Sequence, residues 1–401
     1  MKTAIYTLTS PLHDVQAVDD VTKTFLQSLG IDYVLRGDDY GDYGTHALDL
    51  IYVRTGGTEG IFRRLLADLR QKSSRPFYLL TSGESNSLAA SMEILSYLRQ
   101  HDIPGEILHG STDYIVRRIE VLKKVGDALR RLSHTRLGVV GQPSDWLISS
   151  TADRVAVRQR LGIELIDIDL QEVLDGMPET SDEIPQQWYD NANSPAVRHS
   201  LTGAIRIYGS LKKLVAAHAL EGFTLRCFDL LTALHNTGCL ALARLNSEGI
   251  VAGCEGDIPA MLTMRIAQAL FGVSGFQCNP AHIDTESGEL LFAHCTIPFD
   301  MLQRFELDTH FESGIGVGIR GYMAEGPVTL FKAAGDLRRY YVSEGTLLRC
   351  EARPNLCRTQ AVVRLDNPAE ADYFLTRPIG NHHILLPGHQ RDLIETFFRQ
   401  S

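Results

Sequence analysis

The chain has 401 residues, 44% of them hydrophobic, and a formal net charge of −10 at neutral pH. This length allows two or three domains with a sizeable core. The acidic balance argues against nucleic acid or an anionic membrane surface as a partner, because both require clustered lysine and arginine. We therefore expect a small-molecule partner.

The location of the protein is predicted from its N-terminus, its apolar runs and its cysteines. No apolar run approaches the roughly 18 to 20 residues that a membrane crossing requires. The first two residues lead directly into the strand-like segment 3–9 and not into a signal peptide. The seven cysteines lie between Cys227 and Cys357 without the paired CxxC spacing of zinc sites. We predict a cytoplasmic protein with reduced thiols and no membrane partner.

The first third of the chain alternates strand-like runs with helical patterns. Strands are predicted at residues 4–8, 48–53, 76–81 and 105–108, and helices at 15–29, 61–71 and 88–99. This alternation is typical of a parallel sheet with helices on both faces. A long amphipathic helix at 114–132 follows. We place a domain boundary after it, so that residues 1–133 form an N-terminal α/β domain.

The strand and helix alternation resumes at residue 136 and predicts a second α/β domain at residues 134–299. Trp146 lies in a turn after the first strand of this domain. It could stack on a sugar ring or pack against a helix. Asp229 follows a strand-like segment and is a candidate acid at the edge of a site.

The pattern changes beyond residue 300 to short strands separated by glycine, proline and asparagine. Such a pattern predicts a small antiparallel β-barrel or sandwich at residues 300–401, with a terminal helix from about residue 391. The predicted fold is thus two parallel-sheet α/β domains followed by a small antiparallel β-barrel domain. Residues 316–321 fit the GxGxxG pattern, but no helix follows them, so they do not indicate a dinucleotide site.

Acids, cysteines and histidines are concentrated in residues 251–298. The apolar run 250–254 is followed by Glu255 and Asp257, and residues 258–270 repeat apolar side chains at helical spacing. This pattern predicts a strand, an acidic turn and a helix. Polar side chains at the carboxyl ends of strands lie where α/β sheets bind ligands. Asp257 could hold a substrate hydroxyl or cap the helix.

This segment resembles the metal-binding region of the L-fucose isomerase and L-arabinose isomerase superfamily. The shared features are a Glu-x-Asp turn, a helix containing Leu-Thr-Met, an Ala-His segment and a downstream Asn-His before Gly-His, at residues 255–257, 262–264, 293–294, 381–382 and 388–389. The similarity therefore joins two segments that are far apart in the chain.

The resemblance implies a metal-dependent ketol isomerase that converts an open-chain sugar or sugar derivative through an enediol. It assigns Glu255 as metal ligand and proton-transferring acid, and His382 as metal ligand. His294 takes the place of the histidine of the arabinose-type enzymes. The implied cofactor is Mn²⁺ or Mg²⁺, since both suit carboxylate and water ligands. The resemblance also implies a homo-oligomer, either a trimer or a hexamer.

One position departs from the pattern of this superfamily. A second acid should stand two residues after Phe276, and this chain has Cys278 there. A thiol would weaken Mn²⁺ binding, favour Zn²⁺ or leave the site without a metal. Asn279 or Asp284 could supply an oxygen instead, and Asn381 is a further candidate for contact with substrate.

Two functional hypotheses stay open at this stage. The chain is either a metal-dependent ketol isomerase or a protein that keeps the isomerase fold and sugar pocket without aldose isomerisation. In the second case it would bind sugars or catalyse another carbohydrate reaction. The sequence contains no P-loop, no GxSxG elbow and no HExxH motif, which argues against Walker-type phosphoryl transfer, α/β-hydrolase chemistry and zincin proteolysis.

Overall fold

The computed structural model describes residues 2–181 and 183–401. The chain forms two compact units, one made of the residues up to Asp127 with Thr396–Ser401, the other of Ala128–Glu395. The predicted fold class is confirmed: parallel α/β sheets come first and a closed antiparallel barrel follows. Within the described ranges, no helix combines the length and apolar character that a membrane crossing requires.

The first unit contains a five-stranded parallel sheet with the strand order β2-β1-β3-β4-β5. Its strands are β1 (Thr3–Leu8), β2 (Tyr33–Gly37), β3 (Leu48–Val53), β4 (Phe77–Leu80) and β5 (Gly105–Leu108), and its helices are α1 (Val15–Leu29), α2 (Glu59–Lys72), α3 (Ser87–Gln100) and the part of α4 (Thr112–Leu132) up to Asp127. Every residue of β1, β3 and β4 is buried. This is the burial expected of parallel strands with helices on both faces.

The second unit begins with a four-stranded parallel sheet in the order β7-β6-β8-β9. Its strands are β6 (Arg136–Val140), β7 (Glu164–Ile168), β8 (Gly222–Leu225) and β9 (Val251–Cys254), and the accompanying helices are α5 (Arg154–Leu161), α6 (Leu170–Asp175), α7 (Gln186–Asp190), α8 (Pro195–Ala217), α9 (Asp229–Leu234), α10 (Cys239–Ser247) and α11 (Ile258–Phe271). Because the strands are parallel, the loops after β6, β8 and β9 meet at one edge of the sheet.

The same unit continues into a closed antiparallel barrel with the strand order β10-β11-β16-β15-β14-β17. The remaining elements are β10 (Phe276–Ile283), β11 (Glu289–His294), the pair β12 (Arg304–Asp308) and β13 (Gly318–Tyr322), β14 (Gly326–Ala333), β15 (Tyr340–Glu351), β16 (Thr359–Leu365), α12 (Asp372–Thr376), β17 (His383–Pro387) and α13 (Arg391–Gln400). The barrel thus takes β10 and β11 from the segment that the sequence pattern placed in the second α/β domain.

A sharp turn joins β9 to α11. Glu255 and Gly256 both adopt left-handed backbone conformations, with φ of 63° and 72°. The Glu255 carbonyl accepts a hydrogen bond from Ser144 N at 2.9 Å, and Gly256 N donates to the Leu225 carbonyl at 3.0 Å. A Cβ at Gly256 would lie 2.6 Å from the carbonyl oxygen of Gln142. The turn is therefore fixed against the loops after β6 and β8, and its second residue must be glycine.

Replacing Gly256 by alanine tests this close approach. We expect the free energy of unfolding to fall by roughly 2 kcal/mol or more, since a left-handed alanine is strained and its Cβ collides with the backbone. Urea denaturation measures this change. Gly272→Ala is the matched control, because Gly272 has φ of +80° with nothing within 4 Å of the added Cβ. Equal losses in the two variants would contradict the tight contact at Gly256.

Candidate metal centre

Three buried side chains meet where β9, β11 and the start of β17 come together. Glu255 Oε1 lies 3.7 Å from His294 Nε2 and 3.4 Å from His382 Nε2. The two imidazole rings are 5.3 Å apart and close to perpendicular. One ligand atom from each of the three side chains lies within 4.8 Å of the others. This candidate metal group, Glu255, His294 and His382, could hold a metal ion.

The orientation of His382 fits such an ion. Its Nδ1 lies 2.8 Å from Asp257 Oδ2, so the carboxylate holds one nitrogen and turns the other toward Glu255. Among the described residues, the buried Nε2 of His382 has no hydrogen-bond partner. A buried polar atom without a partner costs free energy. A metal ion between Glu255 and His382 would supply that partner.

The protonation of His382 reflects the two carboxylates around it. Burial alone would lower the pKa of His382, but its hydrogen bond to Asp257 and the negative charges of Glu255 and Asp257 outweigh burial and raise the pKa to about 9. In the metal-free group a proton therefore occupies His382 at neutral pH. A divalent ion would take the place of that proton, because metal ligation requires the neutral imidazole.

His294 is held in a comparable way on the other side of Glu255. Its Nδ1 lies 3.0 Å from the Thr296 hydroxyl, which leaves Nε2 directed at the carboxylate of Glu255. Burial lowers the pKa of His294, and the neighbouring charge of His382 lowers it further, although Glu255 opposes both. His294 is therefore a neutral imidazole, the form that binds metal ions.

Glu255 is ionised although it is buried. Burial would raise its pKa, but the adjacent imidazoles of His294 and His382 hold the pKa well below its usual range. The second oxygen of the carboxylate, Oε2, accepts a hydrogen bond from Trp146 Nε1 at 2.7 Å. Each oxygen of Glu255 therefore has its own partners: Oε1 faces the histidines and Oε2 faces the tryptophan.

The turn that carries Trp146 is fixed by an arginine. Arg226 donates to the Pro143 carbonyl at 2.7 Å and forms ion pairs of 3.1 Å with both Asp145 and Asp229. Asp229 thus supports the turn after β6 through its ion pair with Arg226 and not through a contact with Glu255. Trp146 remains half exposed and packs edge-on against a phenylalanine ring at 4.9 Å.

Asp257 has two functions at the start of α11. One carboxylate oxygen accepts from Ala260 N at 2.8 Å and caps the helix, and the other contacts His382 and lies 3.6 Å from Lys332 Nζ. Asp257 and Lys332 are both fully buried. Burial would raise the pKa of Asp257, but Lys332 and His382 lower it to about 2. A buried ion pair of Lys332 and Asp257 therefore orients His382.

The side chain of Cys278 lies on the face of strand β10 that is turned away from the candidate metal group. Side chains alternate along a strand, and the Gln277 side chain accepts from Cys254 N at 2.9 Å on the side of the α/β sheet. Cys278 therefore faces the opposite side, within the hydrophobic core of the barrel. Its thiol is 3.5 Å from the His383 carbonyl, and burial raises its pKa. The structure does not bring Cys278 to Glu255 and His382.

Asn279, the next residue, lies on the side of the candidate metal group. It lines one cavity with Glu255 and His294, and its Oδ1 accepts a hydrogen bond from Asn381 Nδ2 at 3.1 Å. Asp284 lies in the turn between β10 and β11, where it binds Ser287. Asn279 is thus the better placed of the two alternative oxygen donors.

The cavity beside the candidate metal group contains several side chains that the sequence analysis missed. Its lining consists of Cys227, Phe228, Leu231, Thr237, Gly238, Cys239, Cys254, Glu255, Asn279, His294, Cys295, His310, Glu312 and Cys357. Burial lowers the pKa of His310 to about 4, so this histidine is neutral. Among the described residues that line the cavity, none is lysine or arginine. His310 and Glu312 belong to a loop without a periodic pattern or a motif, so they could not be predicted from the sequence.

A second group of possible ligands lies on the barrel. Glu344, Asp366 and His389 also offer ligand atoms within 4.8 Å of one another. Asp366 and His389 are solvent-exposed, and exposed acidic groups are common without a metal ion. The buried group of Glu255, His294 and His382 is therefore the better candidate for a metal-binding site.

Comparison with known proteins points to sugar isomerases. No family model matches the chain. Sulfoquinovose isomerases from Priestia aryabhattai and Priestia megaterium are each 25% identical over 288 residues, which cover 66% of this chain and 63% of the relative. The sulfoquinovose isomerase of Alkalicoccus urumqiensis is 24% identical over 264 residues, covering 62% and 59%. The similarity thus spans less than two thirds of the length of these relatives.

The neighbouring histidines 382 and 383 provide a matched test of the candidate metal group. His383 lies in the barrel core, where its Nε2 is 3.0 Å from the Tyr373 hydroxyl. We expect His382→Gln to abolish Mn²⁺ binding measured by calorimetry. His383→Gln should bind Mn²⁺ like the wild type but lose about 1 to 3 kcal/mol of stability. Equal Mn²⁺ affinity of His382→Gln and the wild type would contradict the assignment.

Asn279 and Cys278 provide a second matched pair. Asn279→Asp adds a carboxylate on the cavity side, so we expect its Mn²⁺ affinity to rise by about tenfold, since affinity follows the charge of the ligands. Cys278→Asp places a charge in the barrel core and should unfold the protein or destabilise it severely. Calorimetry and thermal unfolding measure the two effects. A stable Cys278→Asp variant with increased Mn²⁺ affinity would reverse the assignment of the two faces of β10.

Proposed function

We propose that this chain is a metal-dependent isomerase that interconverts an aldose and a ketose. The observation that carries the proposal is the buried group of Glu255, His294 and His382, with the free nitrogen of His382 directed at Glu255. The similarity to proteins named sulfoquinovose isomerase supports the reaction class. The resemblance of the segment around Glu255 to the fucose and arabinose isomerase superfamily points to the same chemistry.

The reaction moves a proton between C2 and C1 of the open-chain sugar through an enediol. A divalent ion held by Glu255, His294 and His382 would stabilise the negative charge that develops on the two neighbouring oxygens. We propose Mn²⁺, which the resemblance to the fucose and arabinose isomerase superfamily implies and which accepts carboxylate and water ligands beside imidazoles. Two of the three ligand side chains come from the ends of barrel strands and one from the α/β sheet.

We assign the proton transfer to Glu255. Its carboxylate is ionised and buried, so it can accept a proton from one carbon of the sugar and return it to the other. The Trp146 N–H holds Oε2 at 2.7 Å, and the left-handed backbone at Glu255 is fixed by the hydrogen bond from Ser144 N. These contacts limit the motion of the carboxylate, and such pre-orientation contributes to catalysis.

Asp257 and Lys332 act on the other side of His382. Asp257 keeps the Nδ1 proton of His382 in place, so that Nε2 points toward Glu255. Lys332 supplies the positive charge that allows Asp257 to stay ionised in the interior. Both side chains are positioning residues, because they act on the sugar only through His382.

The cavity lining limits which part of a sugar can enter. Phe228, Leu231 and several thiols form its apolar part, and Glu312 adds a carboxyl group whose pKa is raised by burial and by the charge of Glu255. An anionic group such as a sulfonate would find no lysine or arginine among the described lining residues. We therefore propose that the part of the sugar inside this cavity is uncharged.

Substitution of Glu255 by glutamine tests the proposed reaction. The variant keeps the size of the side chain but cannot accept the proton, so we expect turnover to fall by about 100-fold to 10,000-fold. Conversion of sulfoquinovose and of uncharged pentoses and hexoses should be measured with Mn²⁺ and with a chelator.

The matched control is Glu286→Gln, the same chemical change at an exposed turn position. Glu286→Gln should retain wild-type turnover. Undiminished turnover in the presence of the chelator, together with undiminished turnover of Glu255→Gln, would overturn the proposal. It would also be overturned if the wild-type protein binds sugars in the presence of Mn²⁺ and converts none of them.

A further inference from the structure

Five of the seven cysteines line the cavity beside Glu255, namely Cys227, Cys239, Cys254, Cys295 and Cys357. Two of them are in direct contact: Cys227 Sγ and Cys254 Sγ lie 2.9 Å apart. A disulfide bond requires a sulfur separation of about 2.0 Å. A movement of less than about 1 Å would therefore bring these sulfurs to bonding distance.

The backbone places the two thiols side by side. Cys254 is the last residue of β9, and β9 pairs in parallel with β8 so that Leu225 stands opposite Cys254. The Leu225 carbonyl accepts hydrogen bonds from Cys227 N at 2.8 Å and from Gly256 N at 3.0 Å. One carbonyl thus holds both segments, and the contact between Cys227 and Cys254 follows from the sheet.

We propose that Cys227 and Cys254 are a modification site, at which a peroxide forms a reversible disulfide bond that displaces Glu255. One thiol is first oxidised by hydrogen peroxide to a sulfenic acid, and one water is released. The sulfur of the other cysteine then attacks the sulfenic sulfur, the S–S bond forms, and a second water leaves. The two thiols lose two protons and two electrons, and the peroxide is reduced to two waters.

A disulfide bond at Cys254 affects the candidate metal group because Cys254 and Glu255 are neighbours in the chain. Cys254 directly precedes Glu255, whose left-handed backbone and three side-chain contacts leave little room for adjustment. A displacement of the order of 1 Å at a reacting group can cost about 100-fold in rate. The effects on turnover and on Mn²⁺ affinity rest on the proposed function, whereas formation of the bond does not.

The disulfide is tested by intact-mass measurement and peptide mapping of the whole chain after treatment with hydrogen peroxide and quenching with catalase. The oxidised protein should lose the mass of two hydrogen atoms, with Cys227 and Cys254 in one linked peptide pair. Its Mn²⁺ affinity should fall at least tenfold, in line with the displacement, and dithiothreitol should restore both the mass and the affinity.

Variants separate this pair from the other thiols. Cys227→Ser and Cys227→Ala should not lose the two hydrogens, and their Mn²⁺ affinity should not change on peroxide treatment. Cys350→Ser removes a cysteine outside the cavity lining. After peroxide treatment this variant should lose two hydrogen atoms and Mn²⁺ affinity as the wild type does. A linkage between other cysteines, an undiminished mass in the wild type, or a loss of affinity that persists in both Cys227 variants would overturn the proposal. A linked pair with unchanged Mn²⁺ affinity would overturn the displacement of Glu255.

Discussion

The hydrogen bond between Asp257 and His382 is the interaction on which the rest of the candidate metal centre depends. Asp257 directly precedes α11 of the α/β sheet, and His382 directly precedes β17 of the barrel. The hydrogen bond therefore joins two segments that are 125 positions apart in the chain. Both side chains are completely buried, so neither charge can be compensated by water. The ion pair with Lys332 offsets part of the cost of burying Asp257. The result is an imidazole with one nitrogen fixed and the other available at Glu255.

The centre has one closed side and one open side. Lys332 and Asp257 fill the closed side behind His382, where their charges are out of contact with solvent. Glu255, His294 and Asn279 face the cavity on the other side. A substrate that enters the cavity would therefore meet Glu255, His294 and Asn279 directly, whereas Asp257 and Lys332 lie behind His382. The thiols of Cys227 and Cys254 lie on the open side, next to the residue that we assign to proton transfer.

Much of the fold could be predicted because strands and helices alternate with clear periodicity. The residue at which the barrel begins was harder to predict. The sequences of β10 and β11 contain no feature that distinguishes an antiparallel barrel strand from a strand of the α/β sheet. Glu255, His294 and His382 were named from local motifs, and the structure brings them together. Whether Cys278 or Asn279 faces the candidate metal group depends on the register of β10. That register is set by the pairing of β10 with β11 and β17, which the sequence does not show. The homo-oligomer and the cytoplasmic location stay predictions.

Anomalous diffraction from a crystal of the protein soaked in Mn²⁺ tests whether Glu255, His294 and His382 hold a metal ion. We expect a single strong peak at about 2.0 to 2.3 Å from Glu255 Oε1, His294 Nε2 and His382 Nε2. The bond between Asp257 and His382 Nδ1 should be intact in the same crystal. A peak confined to Glu344, Asp366 and His389, or no peak beside Glu255, would contradict the assignment of these three residues as metal ligands.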